Sequence, residues 1–198
     1  MTNQRTALFP GTFDPFTNGH LDLTRRAARL FDRVVIAVAE STAKGTLFDA
    51  AERCDLIRAC VRGMRRVEVV QFNDLVVDCA RREDAQVMIR GLRAVSDFEF
   101  EFQMALMNRR LARGIEVAFL MPSQQYTYLN STLVKEIVRL GGPIRGLVPR
   151  LVEQRLRARL RPAPAAKAPG HKAVAPSRAR GAGPTPAGAS RGRRTSAR

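Results

Sequence analysis

The chain has 198 residues, enough for one domain with a full core. Its formal net charge of +16 is unevenly spread: nine Lys and Arg residues and no Asp or Glu follow Leu160, leaving +7 on residues 1–160. The longest apolar run, Val34 to Ala39, is far too short to cross a bilayer, and no apolar signal region precedes Asp14, which argues against a membrane or secreted protein. Cys54, Cys60 and Cys79 lack CxxC spacing and fit reduced thiols of a cytoplasmic core. With only His20 and His171 available, a His-rich metal site is not expected, and any catalytic histidine of the folded part is His20.

The run Ala7–Phe9 predicts a first strand. A turn, Gly11-Thr12-Phe13-Asp14-Pro15, follows it, and Thr17-Asn18-Gly19-His20 then opens a helical pattern from Leu21 to Phe31. Free N–H groups at a helix start, beside small residues, make an anion site, and the histidine there adds a donor aimed at the same phosphate. Val34–Ala39 predicts the second strand, and the loop after it carries Lys44. Asp49 and Glu52 suit the cap of the next helix, which leads to a strand at Val67–Phe72 with Asp74 beyond its end. A fourth strand at Val87–Ile89 runs into Arg90-Gly91-Leu92-Arg93, two arginines able to grip phosphate oxygens bidentately. Ser96 and Glu99 suit the cap of a long helix, whose stripe Phe98, Phe102, Ala105 and Leu106 is expected to be core. After a fifth strand, Val117–Met121, the segment Ser123 to Thr132 offers hydroxyls and N–H groups for phosphate oxygens, with Tyr126 or Tyr128 to line a base. Asn130, Ser131 or Thr132 caps the helix containing Leu133, Val134 and Ile137, and a last helix runs from Pro149 to about Leu160.

Strands that are apolar on both faces and alternate with helices imply an α/β fold, a Rossmann-like doubly wound parallel sheet of about five strands with flanking helices. Ligands of such sheets bind at the carboxyl strand ends, near the point where strand order reverses, and Thr12, Lys44, Arg90 and Ser123 all fall there. The domain is expected to span 1–160. Residues 161–198, rich in Pro, Ala, Gly and Arg, read as a disordered basic tail.

Together these residues resemble the family of bacterial phosphopantetheine adenylyltransferases. The resemblance runs from about Ala7 to Leu160. It rests on Phe9-Pro-Gly-Thr-Phe-Asp-Pro15, Thr17-Asn-Gly-His20, Ile89-Arg-Gly-Leu-Arg-Ala94, Asp97-Phe-Glu99, Met107-Asn-Arg109, Phe119-Leu-Met-Pro-Ser123 and Leu133-Val-Lys-Glu136. It implies transfer of the AMP unit of ATP to 4′-phosphopantetheine, giving dephospho-coenzyme A and diphosphate, with Mg²⁺ as cofactor and a homohexamer as the assembly. By similarity Thr12, Phe13 and His20 meet the nucleotide phosphates. Gly91, Leu92, Arg93, Glu101 and the run Tyr126, Thr127, Tyr128, Leu129, Asn130, Ser131 and Thr132 complete the ATP site. Thr12, Lys44, Val76 and Arg90 hold phosphopantetheine, and no protein metal ligand is implied. His20, Lys44 and Arg93 are the implied catalytic residues, stabilising charge on the α-phosphoryl oxygens during an in-line displacement. The chain departs from the family at Phe100, where members often carry tyrosine, and at Asn130-Ser131-Thr132, which replaces a more uniform serine run.

Two rival readings stand beside this one. A nucleotidylyltransferase with another acceptor, such as nicotinate mononucleotide, would share the fold and the Thr-Asn-Gly-His box. The sequence pI of about 11.4 and the arginine-rich tail suggest nucleic-acid binding, a weak, non-specific contact through the tail, against which the favoured reading of the tail is a solvated extension without function.

Overall fold

Five parallel strands, β1 (Thr6–Gly11), β2 (Arg33–Ala39), β3 (Val67–Phe72), β4 (Val87–Gly91) and β5 (Glu116–Leu120), form one sheet in the order β3-β2-β1-β4-β5. The computed structural model describes residues 4–40, 45–93 and 95–160, with Val95 and Ser96 described by backbone alone, all within the unit Met1–Pro164. The readings made on Lys44 and on the tail after Leu160 lie outside the described residues.

Alternation along the strands builds two core layers. Ala7, Phe9, Val34, Ile36 and Val38 point to the face covered by α1 (Asn18–Leu30) and α2 (Ala50–Cys60). Leu8, Val35, Ala37 and Met88 point to the other face, under α3 (Val76–Arg82) and near the end of α4 (Val95–Leu111). Successive side chains of a strand face opposite ways, so strands buried on both sides need unbroken apolar runs, which these are. A third, separate cluster lies under α5 (Ser131–Arg139) and α6 (Arg150–Arg159). It joins Phe48, Leu56 and Leu129 to Val134, Val138, Ile144, Val152 and Leu156.

β1 pairs with β2 on one side and β4 on the other, so strand order reverses between β1 and β4. The expected strand ends shift here: β4 continues two residues past Ile89 because Arg90 and Gly91 pair with Phe119 and Leu120. Arg90 therefore belongs to the strand and is not in the loop after it.

The local signals behave as their chemistry requires. Asp49 and Glu52 form a reciprocal cap, with N–H to carboxylate distances of 2.8 and 3.0 Å. Asn130 is the residue that caps α5, accepting the Leu133 N–H at 2.7 Å. The expected core stripe of α4 is corrected. Phe98, Phe102 and Leu106 are 46%, 47% and 51% exposed in this chain. The inward stripe is instead Glu101, Ala105, Asn108 and Ala112, spaced four, three and four residues apart. Its two polar members face the cleft described next, and that inverts the pattern hydrophobicity alone suggests.

Candidate active site

The carboxyl ends of β1 and β4 open into a cleft of about 620 Å³. It is bordered by Thr12, Phe13, Thr17, Gly19, His20, Arg90, Gly91, Arg93, Glu101, Tyr126 and the run Leu129 to Thr132, among others. A second compartment of about 260 Å³ adjoins it. Thr12, Arg90 and Glu101 border both, and Val76, Phe72, Met88, Phe100, Met104 and Asn108 line only the second. Most residues singled out from the sequence therefore meet in one place. Leu92, Thr127 and Tyr128 do not border the cleft, and Tyr128 is largely exposed.

His20 is set by the cap of its own helix. The Thr17 N–H donates to His20 Nδ1 at 3.0 Å, and the Thr17 hydroxyl oxygen accepts the His20 N–H at 3.3 Å. A histidine thus fills the place usually held by Glu or Gln in a capping box. Since Nδ1 accepts, the neutral ring carries its proton on Nε2, which makes that nitrogen a donor. The ring stacks on Phe16 at 5.6 Å and meets Phe13 edge-on at 5.1 Å. Burial first, and the Arg93 charge second, lower its pKa to about 4.

Two glycines are there for space. A Cβ on Gly11 would lie 2.9 Å from Phe13 Cζ, and one on Gly91 would lie 2.7 Å from Leu23 Cδ1. The first space is filled by the Phe13 ring folded back over β1, and the second by the tip of the Leu23 side chain.

The arginines are held by carboxylates. Arg90 makes a bidentate pair with Glu101, 2.7 Å at both Nε and Nη2, while Nη1 donates to the Pro10 carbonyl at 3.0 Å. Arg93 pairs with Asp97 and donates to the Leu129 carbonyl at 3.0 Å, joining the end of β4 to the Leu129 wall. The Ser131 hydroxyl donates to the Pro15 carbonyl at 2.8 Å, so it ties that wall to the β1–α1 turn. Ser123 is fixed from the other side by the Asp22 carboxylate, which accepts its N–H and hydroxyl at 2.9 Å each.

Two charged residues were not singled out from the sequence. Lys135 borders the cleft and bonds Asp14 at 2.7 Å, and that buried carboxylate also accepts the Leu47 and Phe48 N–H groups. Lys135 lies one helical turn after Ser131 and so shares its face, a signal present in the spacing. Arg53 lies on the buried stripe of α2 with Ala50, Cys54 and Ile57.

Among the described residues no group of three His, Cys, Asp or Glu side chains converges as a metal cage, and no helix is long and apolar enough to cross a membrane. Cys54 and Cys79 are buried free thiols, Cys60 is a half-buried one, and burial raises the pKa of each.

The fold is shared with a crystal structure provisionally assigned as a nicotinate-nucleotide adenylyltransferase from Vibrio parahaemolyticus. The two superpose with a TM-score of 0.57 at 18% identity, covering 78% of this chain and 92% of that one. A family model described as cytidylyltransferase-like matches residues 8–137. Sequence relatives are nearer. A phosphopantetheine adenylyltransferase from Methylococcus capsulatus is 58% identical over 144 residues, 73% of this chain and 89% of that protein. One from Gloeobacter violaceus is 54% identical over 158 residues, 80% and 98%. One from Moorella thermoacetica is 52% identical over 150 residues, 76% and 94%. At this identity over most of the chain, and with its cleft at the strand-order reversal, the chain belongs to the phosphopantetheine adenylyltransferase family, within the cytidylyltransferase-like group.

Proposed function

We propose that this chain transfers the adenylyl group of ATP to 4′-phosphopantetheine, giving dephospho-coenzyme A and diphosphate. The observation that carries the reading is its identity of 52–58% to relatives of that activity over nearly their whole length. The cleft supports it. A 620 Å³ space suits a nucleoside triphosphate. The adjoining compartment, largely apolar, suits a pantetheine arm whose phosphate lies at the shared residues Thr12 and Arg90.

The acceptor is a phosphate monoester, largely dianionic at neutral pH because its second pKa lies near 6, so it needs no general base. One of its oxygens attacks the α-phosphorus in line as the bond to the diphosphate oxygen breaks, and no covalent enzyme intermediate forms. His20 donates from Nε2 to an α-phosphoryl oxygen, and Arg93 and Lys44 share the charge that grows there. The support for His20 is its fixed tautomer at the helix start. For Lys44 it is the position of its chain neighbours Gly45 and Thr46 on the cleft border. Phe13, Gly91, Glu101, Tyr126 and Leu129 to Thr132 complete the nucleotide site. Arg90 and Val76 hold the acceptor.

The acidic groups at the cleft, Asp14 and Glu101, are both paired with cations, which fits a Mg²⁺ carried by substrate phosphates and water in preference to a protein cage. Bound so, it would supply neutralisation for the departing diphosphate. We further read the exposed apolar side of α4 as supporting a homo-oligomer, a hexamer by family. Residues 1–160 are the catalytic unit, and the basic tail is a dispensable extension with weak nucleic-acid affinity.

The test is diphosphate release from ATP and Mg²⁺ by the full chain, with and without 4′-phosphopantetheine. Acceptor-dependent release with dephospho-coenzyme A as product is expected. ATP binding without turnover would reject this acceptor.

A further inference from the structure

Arg53 is 1% exposed, and among the described residues its hydrogen bonds all go to backbone carbonyls. Nη1 donates to Thr12 at 2.6 Å and Ala39 at 2.8 Å, Nη2 to Glu40 at 3.2 Å, and Nε to Phe48 and Asp49 at 3.1 and 3.2 Å. A cation in a protein interior is costly unless wrapped in acceptors, and an apolar side chain of similar volume serves packing alone at less cost. The five carbonyls belong to three segments that meet at the cleft: the turn after β1, the end of β2, and the start of α2.

The bond to Thr12 has a directional consequence. In a trans peptide the carbonyl and the following N–H point opposite ways, so fixing the Thr12 carbonyl toward the buried guanidinium turns the Phe13 N–H away from it. Phe13 has φ 52°, in the left-handed region, which a residue with a side chain rarely adopts and keeps only when its surroundings over-determine it. Its ring is held by Phe9, Phe16 and His20, and the peptide before it is held by Arg53.

We propose that Arg53 is a positioning residue for adenylyl transfer, its guanidinium fork holding the Thr12–Phe13 turn in the left-handed form that presents the Phe13 N–H and the Thr12 side chain to the reacting phosphates. The inference rests on the activity proposed above. Arg53 touches neither substrate and acts through the turn.

Arg53→Lys and Arg53→Met are compared with the wild-type chain for kcat, for KM of ATP and of 4′-phosphopantetheine, and for thermal midpoint. The wild-type chain is first required to form dephospho-coenzyme A, and failure at that step counts against the activity and not against Arg53. Lysine keeps the buried charge, but one ammonium group cannot bridge carbonyls of three segments. Both variants are expected to lose about 10–100-fold in kcat, the scale of a misplaced reacting group. The KM for ATP should change less than kcat, because Arg93 and Glu101, which also border the cleft, are held by Asp97 and Arg90 and not by this fork. A kcat within about threefold of wild type in either variant, measured below its thermal midpoint, overturns the proposal. Loss of the folded state in both variants assigns Arg53 to folding and overturns it as well.

Discussion

His20 has two ring nitrogens with different duties, and the difference comes from one backbone hydrogen bond at Thr17. With Nδ1 accepting and the pKa lowered to about 4, the ring is neutral at pH 7 and would serve the proposed reaction as a donor. His20→Ala is expected to lower kcat by about two to four orders of magnitude, the scale of losing preorganised transition-state donors. A variant keeping a tenth of wild-type kcat, in the acceptor-dependent assay, would remove His20 from that role. The same residue carries a pH signature. Its folded pKa of about 4 lies below the unfolded value of about 6.5, so between these values the unfolded chain binds more protons and stability rises with pH. The contribution is complete above about pH 6.5 and fades as pH falls through the window toward 4. Urea midpoints at pH 4.5 and 7 should therefore differ more for the wild type than for His20→Ala, and equal differences would refute the assignment. His20 was legible in the sequence because it is the sole histidine of residues 1–160 and stands at a strand–helix junction. Arg53 was not, since a charged residue inside a helical pattern reads as solvated until acceptors such as the Thr12, Ala39 and Glu40 carbonyls are brought up to it. Lys135 was legible only in its spacing from Ser131, not in its pairing with Asp14.

At the scale of elements, all five strands were placed with ends within two residues, because buried parallel strands carry apolar runs, while the extensions at Pro10-Gly11 and Arg90-Gly91 were not readable from hydrophobicity. Helix α4 was read inside out. Its phenylalanines outweigh Glu101 and Asn108 on any hydrophobicity scale, yet the sheet side of this helix must supply polar groups to the cleft. The apolar residues left outside, Phe98, Phe102 and Leu106, recur every fourth position and form a continuous stripe. Such a stripe is the surface that the proposed homo-oligomer would bury. Leu106→Glu should shift the full chain to a smaller species by light scattering coupled to size exclusion. An unchanged mass would place the subunit contact elsewhere. Leu106 does not border either compartment, so the variant separates assembly from the cleft itself.

Across the whole molecule, the charge asymmetry and the β-α order were open to reading from composition and periodicity, but the division of the core was not. The third cluster under α5 and α6 draws Phe48 from just before α2, Leu56 from α2 itself, and Leu129 from the loop before α5, a grouping only the folded chain reveals. One wall of the cleft, Leu129 to Thr132, stands on that small cluster, while His20, Arg90 and Gly91 stand on the sheet. The two halves of the site thus rest on foundations that can come apart separately, since opening free energies vary among cooperative units of one protein. In the free chain, amide hydrogens of α5 and α6 should exchange with solvent sooner than those of β1 and β2. ATP, touching both walls, should slow the first group markedly and the second little, and uniform protection by mass spectrometry would argue for a single cooperative unit. The nucleotide would then be a structural member as well as a reactant, spanning a seam that the polypeptide leaves for its substrate to close.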